Sequence, residues 1–306
     1  TNDGDNRKLV RKGDFAINSR SDRRGSCGIS RYDGSVSLIN IVLTPRIEME
    51  PQYYEWLFHT IQFGDENYRW GHGIVDDLWT TGWQEMKKIS IPFPPVTEQH
   101  QIADFLNITC SKIDALTADI QLQIDTLELY RRSVIIETVT KGLNPDAEMK
   151  DSGIPWIGAM PKKWGIIRGK YILKYVQKPI REDDGVITCF RDGEVTLRSN
   201  RREDGFTMAD KEIGYQGIDV GDLVVHGMDG FAGAIGISDS RGKASPVLNV
   251  LDTAQNKRYI MYYLRSMAYG DVFLALATGI RVRSCDLRWN KLAELVYPVP
   301  PREEQD

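Results

Sequence analysis

Between Thr97 and Lys141 apolar positions recur at alternating intervals of three and four, through Ile102, Leu106, Ile113, Leu116, Ile120, Leu127, Tyr130 and Val134. Polar Thr109, Gln123 and Glu137 interrupt the series. This is a heptad stripe, and it predicts one helix of about 45 residues, roughly 65 Å long. Pro94-Pro95 leads into it, Thr97 stands as the N-cap with Glu98 in the first turn, and Gly142 and Asn144-Pro145 close it. A stripe this long cannot bury itself in a small domain, so those eight apolar residues are expected to pack against another helix or subunit.

Elsewhere the pattern shortens. Residues 13–17, 28–30 and 36–43 read as strands separated by a basic loop and a turn at Asp33-Gly34, and 53–63 as one short amphipathic helix. After the long helix, 152–164 is a lead-in rich in Pro, Gly and Trp, 170–176 a first amphipathic element, and 191–202 a turn-rich stretch. The front of the chain then returns. At an offset of 208, Gly221-Asp222 matches Gly13-Asp14, Gly236-Ile237-Ser238 matches Gly28-Ile29-Ser30, and Val250-Leu251 matches Val42-Leu43. At 206, Trp289 matches Trp83 and the run 298–305 (PVPPREEQ) matches 92–99 (PFPPVTEQ). Two copies of one mixed α/β module on either side of a strut are therefore predicted. By this alignment the first copy lacks the equivalent of about 152–208 and a second strut begins at Glu303, so the sequence reads as a fragment of module, strut, module, strut.

A chain of 306 residues, 41% apolar and 27% charged, can carry two domains with real cores. It has no apolar run long enough to span a bilayer and no signal-like segment in residues 1–30, which points to the cytoplasm. Cys27, Cys110, Cys189 and Cys285 are isolated and imply neither a disulfide framework nor a metal site. The net charge of −4 argues against indiscriminate coating of nucleic acid; the strut alone carries seven acids against four bases.

Catalytic chemistry finds little support. His59, His72, His100 and His226 are scattered without a nucleophile and an acid at usable spacing, and packing or surface roles are their default. The glycine-rich stretch 227–236 lacks the Gly-Lys-Ser/Thr ending of a phosphate loop. The adenine-methyltransferase run Asn/Asp-Pro-Pro-Tyr is missing. What remains is arginine in loops: Arg20, Arg23, Arg24 and Arg31 in the first copy, and Arg191, Arg198, Arg201, Arg202, Arg281 and Arg283 in the second. Guanidinium groups bind phosphate and pair bidentately with guanine edges, so these ten are the candidate DNA-binding residues, against the plain alternative of solvated surface arginines. The framework glycines and prolines match between copies whereas the arginines do not, which suits one scaffold reading two different targets.

The run PFPPVTEQHQIADFL opening the long helix, the segment VTKGLNPDAEMKDSGIPWIGAMPKKW and the closing LAELVYPVPPREEQ resemble the specificity (S) subunit of type I restriction-modification enzymes across essentially the whole chain. The resemblance implies an α+β protein with two target-recognition domains joined by a coiled-coil-type helix: 1–95, the helix at 96–144, 145–300, and the start of a truncated second helix at 301–306. It implies a non-catalytic reader of a split, asymmetric site on double-stranded DNA. Two methyltransferase subunits dock on the helices, and restriction subunits join them. S-adenosylmethionine, Mg and ATP are used by those partners, with no cofactor in this chain. Self-association through the exposed helix is a further expectation. Two other readings stay open: the C-terminal reader of a fused restriction-methyltransferase, and a coiled-coil scaffold without a DNA role.

Overall fold

The computed structural model describes residues 7–20, 25–74, 79–201, 213–276 and 287–306. Its contacts gather residues 1–122 and 123–306 into two units.

In the first unit, β1 (Arg7–Val10) pairs with β4 (Gly34–Ser37), and β2 (Phe15–Asn18) lies between β3 (Cys27–Ile29) and β5 (Asn40–Leu43). Helices α1 (Pro51–Phe58), α2 (Ile61–Arg69) and α3 (Trp83–Met86) follow. Residues 53–63 are thus two helices rather than the single one expected. The break comes at Thr60, whose extended backbone and hydroxyl cap α2 by accepting from the amide of Phe63. Phe15, Ile17, Phe63 and Met86 form one buried cluster, and Tyr53, Tyr54 and Ala103 a second.

The long helix α4 is continuous from Val96 to Lys141, 46 residues. Thr97 is not its N-cap: the carbonyl of Pro95 accepts from the amides of Glu98 and Gln99, which places Thr97 inside the first turn. At the far end Gly142, at φ +79°, donates its amide to Thr138 O, the left-handed closure that glycine permits. Ala103 is buried and Ile102 packs beside it on the first unit, while Ile113, Leu116, Ile120, Leu127, Tyr130 and Val134 are 41–67% exposed. Phe105, Ile108, Leu122, Ile124 and Leu129 are exposed as well, so apolar residues reach beyond one stripe.

The second unit opens with β6 (Met149–Asp151), β7 (Ala159–Pro161), β8 (Gly165–Arg168), α5 (Gly169–Ile172) and β9 (Leu173–Val176). The stretch 170–176 is therefore a helical turn running into a strand rather than one amphipathic element. Next come the hairpin β10 (Ile187–Cys189) and β11 (Val195–Leu197), then β12 (Gln216–Ile218), β13 (Leu223–His226), β14 (Ile235–Ile237), β15 (Gly242–Ala244) and β16 (Leu248–Thr253). Helices α6 (Lys257–Tyr269), α7 (Val272–Ala275) and α8 (Trp289–Glu294), strand β17 (Val296–Val299) and α9 (Arg302–Gln305) complete the unit. A four-stranded sheet, β14-β13-β16-β9, backs onto α6, whose inner face buries Ile260, Tyr263, Leu264 and Met267.

The repeat holds at the level of register. Phe15 faces Ile29 and Leu43 as Leu223 faces Ile237 and Leu251, and Val10 faces Gly34 as Ile218 faces Gly242, all at the same offset of 208. Gly13 and Gly221, both at positive φ, donate to Ser30 O and Ser238 O over the same 2.8 Å. The offset of 206 is equally literal. Gln99 takes the amide of Glu50 at 2.9 Å and donates to Pro94 O, and Gln305 does the same with Asn256 and Pro300. Matching glycines and glutamines therefore mark matching hydrogen bonds, and the α+β architecture, two sheet-rich units with one long helix between them in the chain, is as expected.

Candidate nucleic-acid interface

Of the ten predicted arginines, Arg23, Arg24, Arg202, Arg281 and Arg283 lie outside the described residues. Arg20 is not in a turn but bridges to Thr80 at the end of β2, and Arg31 sits exposed in the bend before β4. In the second unit the β10–β11 hairpin gathers Arg191, Arg198 and Arg201. Arg201 lies over the Phe190 ring at 4.2 Å and reaches Asp192 at 2.7 Å and Glu194 at 3.0 Å, so much of its guanidinium fork serves the hairpin itself. Arg198 Nε donates to Thr188 Oγ1 at 3.3 Å. Arg191, 68% exposed, keeps one pairing, to Asp229 at 2.8 Å, and is the freest of the three to meet a phosphate.

Arg191 also lines a pocket of about 410 Å³ that includes three arginines not singled out from the sequence, Arg131 and Arg132 of α4 and Arg265 of α6. Arg265 is buried: Nε donates to the Tyr269 hydroxyl at 2.8 Å and Nη2 to Asp192 O at 2.6 Å, pinning the hairpin tip. Arg132 lies over the Tyr269 ring at 5.4 Å. Glu128, Asp192 and Asp271 line the same pocket and temper its charge. Residues 131 and 132 looked like ordinary strut bases in the sequence, because only the fold brings them beside the hairpin. Gly193 makes that tip possible. It sits at φ +92°, and a Cβ there would lie 1.8 Å from Arg265 Nη1. Gly193→Ala is expected to cost about 2 kcal/mol or more, measured by urea unfolding.

His226 has a place in the backbone framework of its turn. His226 Nδ1 accepts from the amides of Met228 at 3.2 Å and Asp229 at 2.9 Å, and its repeat counterpart Asn18 accepts from the amide of Arg20 at 2.9 Å. Burial holds the His226 pKa below its ordinary value. Because the folded pKa is depressed, stability is intact above the ordinary value of 6.5 and falls as pH drops through that value toward the folded one. His226→Asn, copying the other unit, is expected to flatten this dependence between pH 7 and about 5 in thermal-melt profiles while keeping the turn. Among the described residues no group of three His, Cys, Asp or Glu could hold a metal ion, and no helix is long and apolar enough to cross a membrane.

No protein-family model matches the chain. Along 97% of its length it superimposes, at TM-score 0.67 and 15% identity, on 72% of a chain solved in work on the complex assembly and conformational transition of the type I R-M system. It superimposes at TM-score 0.52 and 15% identity on 71% of the HsdS subunit from Thermoanaerobacter tengcongensis. The fold is thus that of specificity subunits of type I restriction-modification systems. In sequence, 87 residues are 32% identical to the type I restriction enzyme MjaVIII specificity subunit of Methanocaldococcus jannaschii, covering 28% of this chain and 19% of that protein. A second match, over 83 residues and also 32% identical, is to the putative type I restriction enzyme MjaX specificity subunit of the same organism, covering 27% of this chain and 18% of that protein. The matched part is about a fifth of either relative's length.

Proposed function

We propose that this chain is the non-catalytic DNA-reading specificity subunit of a type I restriction-modification complex in the cytoplasm. Residues 1–95 and 145–300 act as target-recognition domains, each reading one half of a bipartite, asymmetric site on double-stranded DNA. The helix at 96–144 keeps the two readings in register and docks two methyltransferase subunits, with restriction subunits added to that core. S-adenosylmethionine, Mg and ATP are handled by those partners.

The observation that carries this reading is the register-for-register duplication of one module on either side of a single unbroken helix, with the loop arginines differing between copies. A split site needs two unlike readers at a defined separation and rotational phase, since B-DNA turns fully in about 34 Å. A stiff helix serves that need and a flexible linker does not. Phosphate contacts supply affinity and base contacts supply choice. With a net charge of −4, the chain alone is expected to bind duplex weakly and lose that binding steeply with salt.

The test is methylation-site sequencing of DNA modified by the reconstituted complex, with 145–300 exchanged for the corresponding module of another specificity subunit. One half-site should change and the other should stay. Change in both halves, or methylation without sequence preference, would overturn the proposal.

A further inference from the structure

Arg265 of α6 is a guanidinium only 6% exposed, and both groups it donates to are neutral. They are the Tyr269 hydroxyl, met by Nε at 2.8 Å, and the Asp192 carbonyl, met by Nη2 at 2.6 Å. The Asp192 carboxylate turns instead to Arg201, at 2.7 Å. Among the described residues no carboxylate stands within ion-pair distance of Arg265, and Nη1 has no acceptor. A buried charge is ordinarily met by an opposite one, because the cost of leaving water has to be offset. The framework does not require this cation. Glu50 and Asn256 correspond through their bonds to Gln99 and Gln305, and at that offset of 206 position 265 matches His59.

Arg265 lines the pocket of about 410 Å³ together with Arg131 and Arg132 of α4 and Arg191 of the hairpin. Arg131 and Arg132 are exposed, and among the described residues neither has a carboxylate within ion-pair distance. Of the acids there, Asp192 is held by Arg201, whereas Glu128 and Asp271 are exposed, where water screens their charge. Guanidinium groups from three elements thus share one space. The two coplanar oxygens of a carboxylate suit a single guanidinium fork, while a tetrahedral phosphate offers oxygens in several directions. Aromatic surface stands beside these cations: Arg132 and Arg265 lie 5.4 and 5.5 Å from the centroid of the Tyr269 ring, and Phe231 lines the same pocket. The volume is that of a small-ligand site and exceeds what a bare phosphate fills.

We propose that this pocket binds the phosphate of a nucleotide, with Arg265 as the buried counter-charge and Arg131 and Arg132 closing on the outer oxygens. The group that the phosphate carries lies against Tyr269 and Phe231, since aromatic faces beside phosphate-binding cations suit a nucleobase. The nucleotide is either one unit of a bound duplex or a free nucleoside phosphate; the chemistry of recognition is the same. Capture of phosphate by the chain alone does not rest on sequence reading. It would stand even if the reconstituted complex methylated DNA without preference.

The arginine Nε–H signals of the full chain are followed by nitrogen NMR while inorganic phosphate is added at constant ionic strength. Saturable shifts are expected at Arg265 and Arg132, half-complete at about 1 mM or below. Changing the exposed pair, Arg131→Gln with Arg132→Gln, leaves the core untouched and should weaken phosphate binding about tenfold or more. Arg265→Gln should abolish it, but that variant can fail to fold, so the exposed pair carries the test. No saturable shift at Arg265, equal shifts at every arginine, or undiminished binding by the double variant overturns the proposal. Two further measurements name the source. If the phosphate belongs to the duplex, the double variant lowers the salt slope of duplex binding by the reconstituted complex by about two. If it belongs to a free nucleotide, that slope is unchanged and 5′-AMP saturates the same signals at lower concentration than phosphate does. An unchanged slope with no such preference for 5′-AMP overturns the proposal as well.

Discussion

Arg241→Ala is expected to lower the unfolding free energy of the second unit by about 3 kcal/mol, because it strands a buried carboxylate. The Arg241 fork donates to Asp184 through Nε at 3.0 Å and Nη2 at 2.9 Å, and Nη1 donates to Asp219. The Asp184 side chain is only 3% exposed. Lys178 closes the network, reaching Asp219 at 2.8 Å and Asp222 at 2.6 Å. This cluster ties residues 178–184, just after β9, to the turn before β13. Replacing the charged hub removes its bonds to Asp184, Asp219 and the Pro179 carbonyl at once. The Arg241 bond holds the Asp184 carboxyl below the usual range, and Lys178 and then Arg241 bring Asp219 down to about 2. Both folded pKa values are depressed, so the stabilisation is present above the ordinary value of 3.8 and is lost as pH falls through the folded values. The gap between parent and variant should therefore be widest near neutrality and narrow below pH 3.8. Denaturant unfolding at pH 7 and pH 3 checks this; an equal deficit at both would mean that the lost term is packing and not charge.

The first unit shows why such a cluster was not legible beforehand. Its position 33, the counterpart of Arg241, is an aspartate that caps the amide of Lys12 at 2.8 Å, and Arg11 stands where the second unit has Asp219. Asp14, matching Asp222, is met by the Thr44 hydroxyl at 2.9 Å instead of a lysine. Framework residues repeat because backbone conformation demands them. Gly13 and Gly221 need positive φ, and Gln99 and Gln305 satisfy the same buried amide and carbonyl. Side-chain networks at the same positions are free to diverge, so the repeat identifies the scaffold but not its charges. The same limit applies to the candidate site. Loop arginines are readable as a residue type in a turn, whereas Arg131 and Arg132 join them only because α4 packs beside the hairpin. The break at Thr60 is set by that residue's own cap and the turn-to-strand switch comes where Leu173 enters the core, and short-range apolar periodicity registers neither.

The helix itself was legible because its apolar spacing, its Pro-Pro opening and its Gly142 stop all agree, and it carries the second large expected effect. Ala115→Pro, at an exposed position in the middle of α4, removes the amide that bonds to Ser111 O and drives the ring into that carbonyl, at about 3 kcal/mol or more with a kink. Neither unit's described core includes residue 115, so hydrogen exchange in the strands of both units should be unchanged. On the proposed function, reading of a split site requires both modules to keep distance and phase, and a bend of even 25° over a helix of roughly 65 Å would shift that spacing by several base pairs' rise. Methylation of the bipartite site by the reconstituted complex should then fall by at least a hundredfold, while Ala115→Ser, which keeps the helix at about 0.5 kcal/mol, should stay near the parent rate. A proline variant that methylates the same site at the parental rate would show that something other than α4 sets the register.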